Sequence, residues 1–432
     1  MLDIRFIREN AEAVQQNAIN KGYKVDISQL LKLDEERRDL QAQADDLRQR
    51  RNANIAATKG VRPSDEQIAE GKSIKDKLAV TEPKLKEVDE NYTTLIKQVP
   101  NMALADVPIG LTEDENQVVK IVGEVPKFDF KPRNHAEVAA IHGWIDKERA
   151  AKVAGSRFAY VEGDMVKLQF AIIQFVINTL SDESKVKEII AQAGIDVPSK
   201  PFIPVLPPLM IRTEMYDAMD RLEPRDQRYK IEGDELWLQG SAEHVLGSMH
   251  QGETFNEADL PVRYVGYASS FRREAGTYGK DMEGIFRMHQ FDKLEIESFS
   301  TADDGLNEHL LFVGVQEYLL SQLEIPYRVI KKCTFDIGKP DARGIDMEAW
   351  LPGQDKYRET HTADYMTDYQ SRRLNTRVRR ESGAVELVHT NDATAFALGR
   401  IMIAIIENNQ TVDGHVNVPK VLQPYLGGRT IL

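Results

Sequence analysis

The residues best suited to chemistry lie close together in the run FRREAGTYGKDMEGIFRMHQFDKLE, from Phe271 to Glu295. Arg272, Arg273 and Glu274 come first, a Gly- and charge-rich stretch follows, and an apolar-alternating run closes on Phe291 and Glu295. Ile285, Arg287, His289 and Phe291 share one face at a period of two. That spacing predicts a strand, a flexible loop and an antiparallel returning strand over residues 285–291. Guanidinium forks pair bidentately with phosphate oxygens, so an arginine at a strand end beside a movable loop suits a polyphosphate. Taken alone, the same residues also fit an exposed hairpin with solvated charges.

Three further groups carry potential chemistry. Gly240-Ser241-Ala242-Glu243 follows the strand-like Leu236-Trp237-Leu238. Its hydroxyl and carboxylate could hold an ammonium group, although a helix N-cap followed by a first-turn glutamate is the commoner arrangement. Arg358-Glu359-Thr360-His361-Thr362 precedes Asp368-Tyr369-Gln370-Ser371-Arg372-Arg373. Glu359 and Thr362 there offer hard oxygen ligands of the kind Mg²⁺ takes beside phosphates; a surface strand with a solvated glutamate is the plain alternative. His389-Thr390-Asn391-Asp392-Ala393-Thr394 leads into a helix expected from Ala395, on which Gly399-Arg400 precedes apolar Ile401–Ile406. An arginine on so apolar a helix is costly to bury without an anion.

Together these segments resemble the signatures of class II aminoacyl-tRNA synthetases, and within them the bacterial type of the seryl-tRNA synthetase family. The resemblance runs from MLDIRFIREN to VPKVLQPYLGG, essentially the whole chain. It implies that Arg272 holds the α-phosphate of ATP, that Glu274 contacts the adenine end and that Phe291 stacks on adenine. It likewise gives the γ-phosphate to Arg400, making Arg272 and Arg400 the catalytic pair. Arg273, Glu359, Thr360, His361 and Thr362 complete the implied ATP site, with Glu359 and Thr362 on Mg²⁺. Ser241, Ala242, Glu243, Arg272, Glu295 and Thr394 form the implied serine site, in which Glu295 faces the serine side chain. Three departures stand out. Ser241 replaces a usual threonine, and Thr360–Tyr365 replaces a small Ser/Cys/Asn-rich run. Asp392-Ala393-Thr394 replaces Asn-Gly-Ser, turning a neutral amide into a carboxylate.

The elements that position these groups follow from pattern. From Asp26 to about Lys59 the chain is free of glycine and proline, with Leu30, Leu33, Leu40, Ala44 and Leu47 at coiled-coil spacing. Gly60 to Ser64 is punctuation, with Ser64 as N-cap and Gln67 as its capping-box partner. A second run carries Ile68, Ile74, Leu78, Leu85, Val88, Tyr92 and Leu95, and Pro83 inside it should bend or break that helix. Arg48, Arg50, Arg51, Lys59 and Arg62 lie near the turn, with no acid between Leu47 and Ser64. Such a hairpin could serve dimerisation, or its basic tip could meet a phosphate backbone. The resemblance implies the latter: an arm reaching across a homodimer to tRNA, read by shape.

Residues 99–122 read as a connector. Helices are expected at 135–145 and 165–180, and short strands near 158–160, 235–238, 262–270, 327–332, 346–351 and 386–389. Phe202–Leu209 is apolar but proline-studded, which restricts it to an edge; the resemblance gives that segment to a dimer interface. The class is therefore α+β: an N-terminal antiparallel helical-hairpin arm, then a catalytic domain on an antiparallel sheet flanked by helices. The expected domains are 1–110, with the arm at about 27–98, and 111–432.

With 432 residues and a net charge of -13, the chain has room for two cores and is ill suited to sequence-blind nucleic-acid binding. A single cysteine, Cys333, excludes an internal disulfide and a multi-cysteine zinc site, and fits a reducing compartment. Asp3, Glu9 and Glu12 interrupt any signal-peptide core, and the apolar helix candidates are too short to span a bilayer, so a cytoplasmic protein without a membrane partner is expected. No Walker A motif is present, and His142, His244, His289 and His389 match no metal spacing. No structural zinc is expected. The resemblance implies a serine–tRNA ligase using ATP and Mg²⁺, acting on L-serine and tRNA(Ser), with tRNA(Sec) as a second acceptor. Two alternatives stay open: an enzyme loading an amino acid onto a carrier protein, and a non-catalytic dimeric interaction protein.

Overall fold

A computed structural model of the chain describes residues 1–60, 62–274 and 284–432. The loop expected inside the 271–295 hairpin falls on 275–283, outside the described residues. The chain divides into two compact units, Met1–Met102 and Ala103–Leu432.

In the first unit, α1 (Ile27–Ala57) and α2 (Asp65–Ile96) form the hairpin. Their 31 and 32 residues each extend about 47 Å. Antiparallel pairing is fixed by Arg37 with Asp89, Lys84 with Glu36, Arg48 with Glu82 and Arg50 with Glu70. Leu47, Ile74 and Leu78 pack as an apolar cluster in the seam. The Ser64–Gln67 capping box closes both ways, at 3.2 and 2.9 Å. Three expectations need correction. Helix α2 continues unbroken across Pro83, giving up one backbone bond. Ile68 is exposed, because the seam of α2 starts only at Ile74. Leu33 is half-buried, and Asp34 takes the buried position instead, held by Arg8 at 2.7 Å and Arg38 at 3.3 Å.

The second unit is built on an eight-stranded sheet. Its strands are β1 (Gln117–Val122), β2 (Ile203–Val205), β3 (Val262–Phe271), β4 (Gln290–Ser300), β5 (Tyr327–Lys331), β6 (Arg343–Leu351), β7 (Lys356–Thr367) and β8 (His389–Ala397). The order is β1-β5-β6-β7-β8-β4-β3-β2, antiparallel except for the parallel pair β2/β3 at one edge. Pro204 is tolerated there because an edge strand needs no donor on its outer side. One face buries Leu294, Ile296, Met347, Ala363, Ala393 and Phe396 in the main core. Helices α3 (Asp164–Ser181), α5 (Gly305–Gln322) and α6 (Leu398–Asn408) cover that face, and their buried residues include Leu168, Leu311 and Ile401. The short α4 (Glu243–Leu246) belongs to the opposite face.

Residues 117–122, expected as part of a connector, form β1 instead, and two boundaries near the site also shift. The returning strand begins at Gln290, not at 285. The Ile285 amide donates to His135 Nε2 and the His289 amide to the Arg157 carbonyl; the His289 carbonyl accepts from the Arg272 amide at 3.0 Å, and the regular ladder runs from Gln290 opposite Phe271. The segment from His389 stays a strand as far as Ala397, and the helix starts at Leu398 rather than Ala395. Ladder bonds to β4 override the helix propensity of Ala395-Phe396-Ala397. Among the described residues, no helix is long and apolar enough to cross a membrane.

Candidate active site

Strand alternation sends one set of side chains into the core and the other into a cavity of about 280 Å³. From β4 come Phe291 and Lys293, from β8 Thr394, from β7 Glu359, Thr360, Thr362 and Asp364, and from β6 Asp346. Residues Ile285 to Met288 line it consecutively, as irregular backbone does.

At one end the walls are arginines and aromatic rings. The Arg272 side chain donates through Nε to the Gly240 carbonyl at 2.9 Å and lies 5.5 Å from the Phe291 ring centre. The Arg287 guanidinium donates to the Glu274 carboxylate at 3.1 Å. Arg400, in the first turn of α6, donates to the Glu359 carboxylate at 2.8 Å and to its carbonyl at 2.9 Å. Phe286 lies under two guanidiniums, Arg358 at 4.0 Å and Arg400 at 4.9 Å. Guanidiniums and flat rings on one cavity can take both halves of a nucleotide, the phosphates and the base.

Glu359 and Thr362 are three apart, which on a regular strand would put them on opposite faces. The ladder pairs Glu348 with Glu359 and Met347 with His361, leaving Thr360 as an extra residue. This bulge turns Glu359, Thr362 and Asp364 to the cavity together and sends His361 into the core, 5.2 Å from Phe396. The resemblance had given His361 to ATP; its ring is buried, hydrogen-bonded to Thr360, and its pKa is pushed down to about 3 by burial. Asp346 and Asp364, with burial raising their carboxyls to about 8 and about 7, face the same spot. One oxygen of each has no hydrogen-bond partner. Those oxygens face the Lys332 ammonium, 3.8 Å from each, and among the described residues no group of three or more His, Cys, Asp or Glu could hold a metal ion. The oxygens left for a hard divalent cation such as Mg²⁺ are those of Glu359 and Thr362.

The other end is a dense set of carboxylates. The Ser241 hydroxyl donates to Glu295 at 2.5 Å, and the Lys293 ammonium donates to Ser241 at 3.2 Å and is ion-paired with Glu295. Burial raises the Glu295 carboxyl, with Lys293 opposing. Glu243 opens α4 and pairs with Arg221 Nε at 3.3 Å. Burial works against its charge, yet Arg221 holds it well below the usual range. Arg221 Nη2 also lies 3.2 Å from both Asp341 and Asp392.

The cavity thus gathers Arg272, Glu274, Phe291, Glu243, Glu359, Thr360, Thr362, Thr394 and Arg400. Glu295 and Ser241 lie fully buried against it through Lys293. Besides His361, two implied residues stand elsewhere. Arg273 turns to the Tyr229 ring, and Ala242 packs in a separate core with Leu246 and Phe299. Ser241 does not cap α4, whose N-cap is Ala242. Sequence reasoning missed Arg221, Lys293, Lys332, Asp346 and Asp364. Only Lys293 had a signal, its place two residues before Glu295 on the same face.

Of the five basic arm residues, Arg48 and Arg50 are spent on acids of their own hairpin. Arg51, Lys59 and Arg62 are exposed and form no ion pair among the described residues. Asp65 and Glu66 open α2, so the tip is mixed in charge rather than purely basic.

With this geometry the comparisons agree. Residues 227–409 match the model of the tRNA synthetase class II core domain (G, H, P, S and T). Residues 1–103 match that of the seryl-tRNA synthetase N-terminal domain. The serine–tRNA ligase of Deinococcus radiodurans is 37% identical to this chain, over 100% of this chain and 99% of its own. The chain belongs to the seryl-tRNA synthetase family. Another family member, the serine–tRNA ligase of Nitrosopumilus maritimus, is 35% identical over 99% of each chain. The crystal structure of seryl-tRNA synthetase from Pyrococcus horikoshii complexed with ATP matches with a TM-score of 0.87 at 35% identity, covering 100% of this chain and 99% of that one.

Proposed function

We propose that this protein activates L-serine with ATP and passes the seryl group to the 3′ end of tRNA. The observation that carries this reading is one cavity with guanidiniums and aromatic rings at one end and an ammonium-accepting carboxylate, Glu243, at the other. ATP lies with its adenine against Phe291, its α-phosphate on Arg272 and its γ-phosphate on Arg400. For Arg400 to reach a phosphate, its fork leaves Glu359. The serine ammonium pairs with Glu243, and its hydroxyl is read by Glu295 with Thr394 close by. Lys293 now pairs with Glu295, so a bound hydroxyl exchanges places with that ammonium. Ser241 orients Glu295 from behind through its hydrogen bond.

The serine carboxylate is ionised at neutral pH and needs no general base. Its oxygen attacks the α-phosphorus while the bond to the pyrophosphate oxygen breaks, leaving seryl-adenylate. Positioning and the charge of Arg272 and Arg400 supply the catalysis. Mg²⁺ held by Glu359 and Thr362 would neutralise phosphate charge when bound. A terminal ribose hydroxyl of tRNA then displaces AMP from the carbonyl carbon. Charging of tRNA(Ser), with tRNA(Sec) as a second acceptor, takes place on a homodimer in the cytoplasm; Ile203, Leu206 and Leu209 form an exposed apolar edge suited to the pairing.

A site that hydrogen-bonds a substrate hydroxyl rejects the analogue lacking it by about 10⁴–10⁵-fold. ATP–pyrophosphate exchange with a panel of amino acids tests the reading. Serine-dependent exchange with alanine inactive is the expected outcome; exchange with another amino acid, or with none, overturns it. The retained arm and the intact Arg272, Glu274, Glu359 and Arg400 speak against the carrier-loading and non-catalytic alternatives.

A further inference from the structure

Asp364 and Asp392, two of the chain's departures from the family pattern, are distant in sequence, yet the register sets them directly opposite one another on β7 and β8. Carboxyls opposed across a buried ladder repel, which a nearby cation or a proton relieves. Lys332 lies 3.8 Å from Asp364, and Arg221 lies 3.2 Å from Asp392. Arg221 comes from the turn after the helix Thr213–Ala218 and lines the same cavity as Thr394, its side chain only 16% exposed. Its guanidinium ties Asp392 to Glu243, and Asp341 holds it from a further side.

We propose that Arg221 is a specificity-determining residue for the amino acid. It fixes Glu243 and Asp392 around the substrate and fills, with its guanidinium, the room into which a longer side chain would extend. The inference rests on the serine-activating reading above. A guanidinium hydrogen-bonded to Asp341 and Asp392 and ion-paired with Glu243 resists being pushed aside. Moving it would leave buried carboxylates without a cation, which costs far more than displacing an apolar wall. An apolar pocket discriminates one carbon by only about 10–200-fold, so a charge-locked wall is the stronger sieve.

The test uses the full chain and ATP–pyrophosphate exchange with serine, threonine, alanine and cysteine. Arg221→Leu should raise the KM for serine about 10-fold or more, by the scale of one misplaced pocket group, and leave the KM for ATP unchanged. Arg221→Leu with Asp392→Asn removes the charge together with one of its three carboxylate partners, leaving Glu243 and Asp341 in place. It should recover much of the serine KM and raise the threonine-to-serine ratio of kcat/KM about 10-fold or more. A double variant that keeps the parent's ratios, or a single variant that shifts both KM values alike, overturns the inference. Should Arg221→Leu fail to fold, Arg221→Lys keeps the charge and loses the fork; an unchanged serine KM and threonine ratio there overturns it equally. A parent that activates a different amino acid overturns the serine reading instead, and Arg221 is then judged by the same ratios for that substrate. An inactive parent overturns both.

Discussion

Lys293 and Glu295, two apart on β4 and so on one face, are ion-paired at the cavity floor with the Ser241 hydroxyl bonded to both. A cation from the protein itself thus stands where the substrate's polar side chain is proposed to bind. Removing the carboxylate outright would strand a buried ammonium, so the informative change is isosteric.

Glu295→Gln should raise the KM for serine by about 10²-fold or more, the scale of losing a buried hydrogen bond to a charged group. ATP binding should change little. Calorimetry with ATP alone and with a non-hydrolysable seryl-adenylate analogue separates the two; equal affinity of parent and variant for the analogue would place the serine site elsewhere.

Arg272→Ala and Arg400→Ala should each lower serine-dependent pyrophosphate exchange by about 10²–10³-fold or more, the typical loss of one transition-state donor. Both side chains serve the cavity rather than the core, so the melting temperature should stay near the parent's. Near-normal exchange in either variant rules out the proposed phosphate contacts.

Glu297 is fully buried on β4, and neither carboxylate oxygen has a hydrogen-bond partner. Burial, with Asp392 and Glu243 nearby, raises its pKa well above the ordinary value of 4.5. Its folded pKa exceeds the unfolded one, so the native state holds the proton more tightly and stability falls as pH rises above that ordinary value. Glu297→Gln removes this dependence. Its advantage over the parent should grow from pH 5 to pH 8 by at most about 1.4 kcal/mol per pH unit. Urea melts across that range check the slope; an advantage that shrinks with pH contradicts the buried protonated carboxyl.

Neutralising Arg51, Lys59 and Arg62 should weaken tRNA binding and reduce the salt slope by about 0.7–0.9 for each phosphate that no longer meets a cation. Neutralising Arg48 and Arg50 should act mainly on the hairpin, at about 0.2–1 kcal/mol per exposed pair. Filter binding of tRNA at several salt concentrations distinguishes the sets. Equal effects from both would mean that Arg48 and Arg50 leave Glu82 and Glu70 when RNA binds.

Much of this molecule was legible in the residues alone. The hairpin, its capping box and the edge position of the proline-studded strand follow from local signals, because periodicity, capping and residue type act within a few positions; Arg272, Glu274, Phe291, Glu359 and Arg400 were placed together through the family resemblance. Glu359 and Thr362 were singled out together by type, but their shared face depends on an extra residue at Thr360, a property of two strands in register. His361 was misplaced for the same reason, since the bulge decides which neighbour turns to the core. Arg221 and Lys332 gave no sequence signal because neither belongs to the motifs they serve. Asp392 read only as a carboxylate in place of a neutral amide, and the fold alone sets Arg221 3.2 Å from it. The sequence by itself determined which chemical groups the chain would carry and which elements would bear them. Only the tertiary structure decided which charges meet, because a buried ion pair depends on distances between segments that no local pattern encodes.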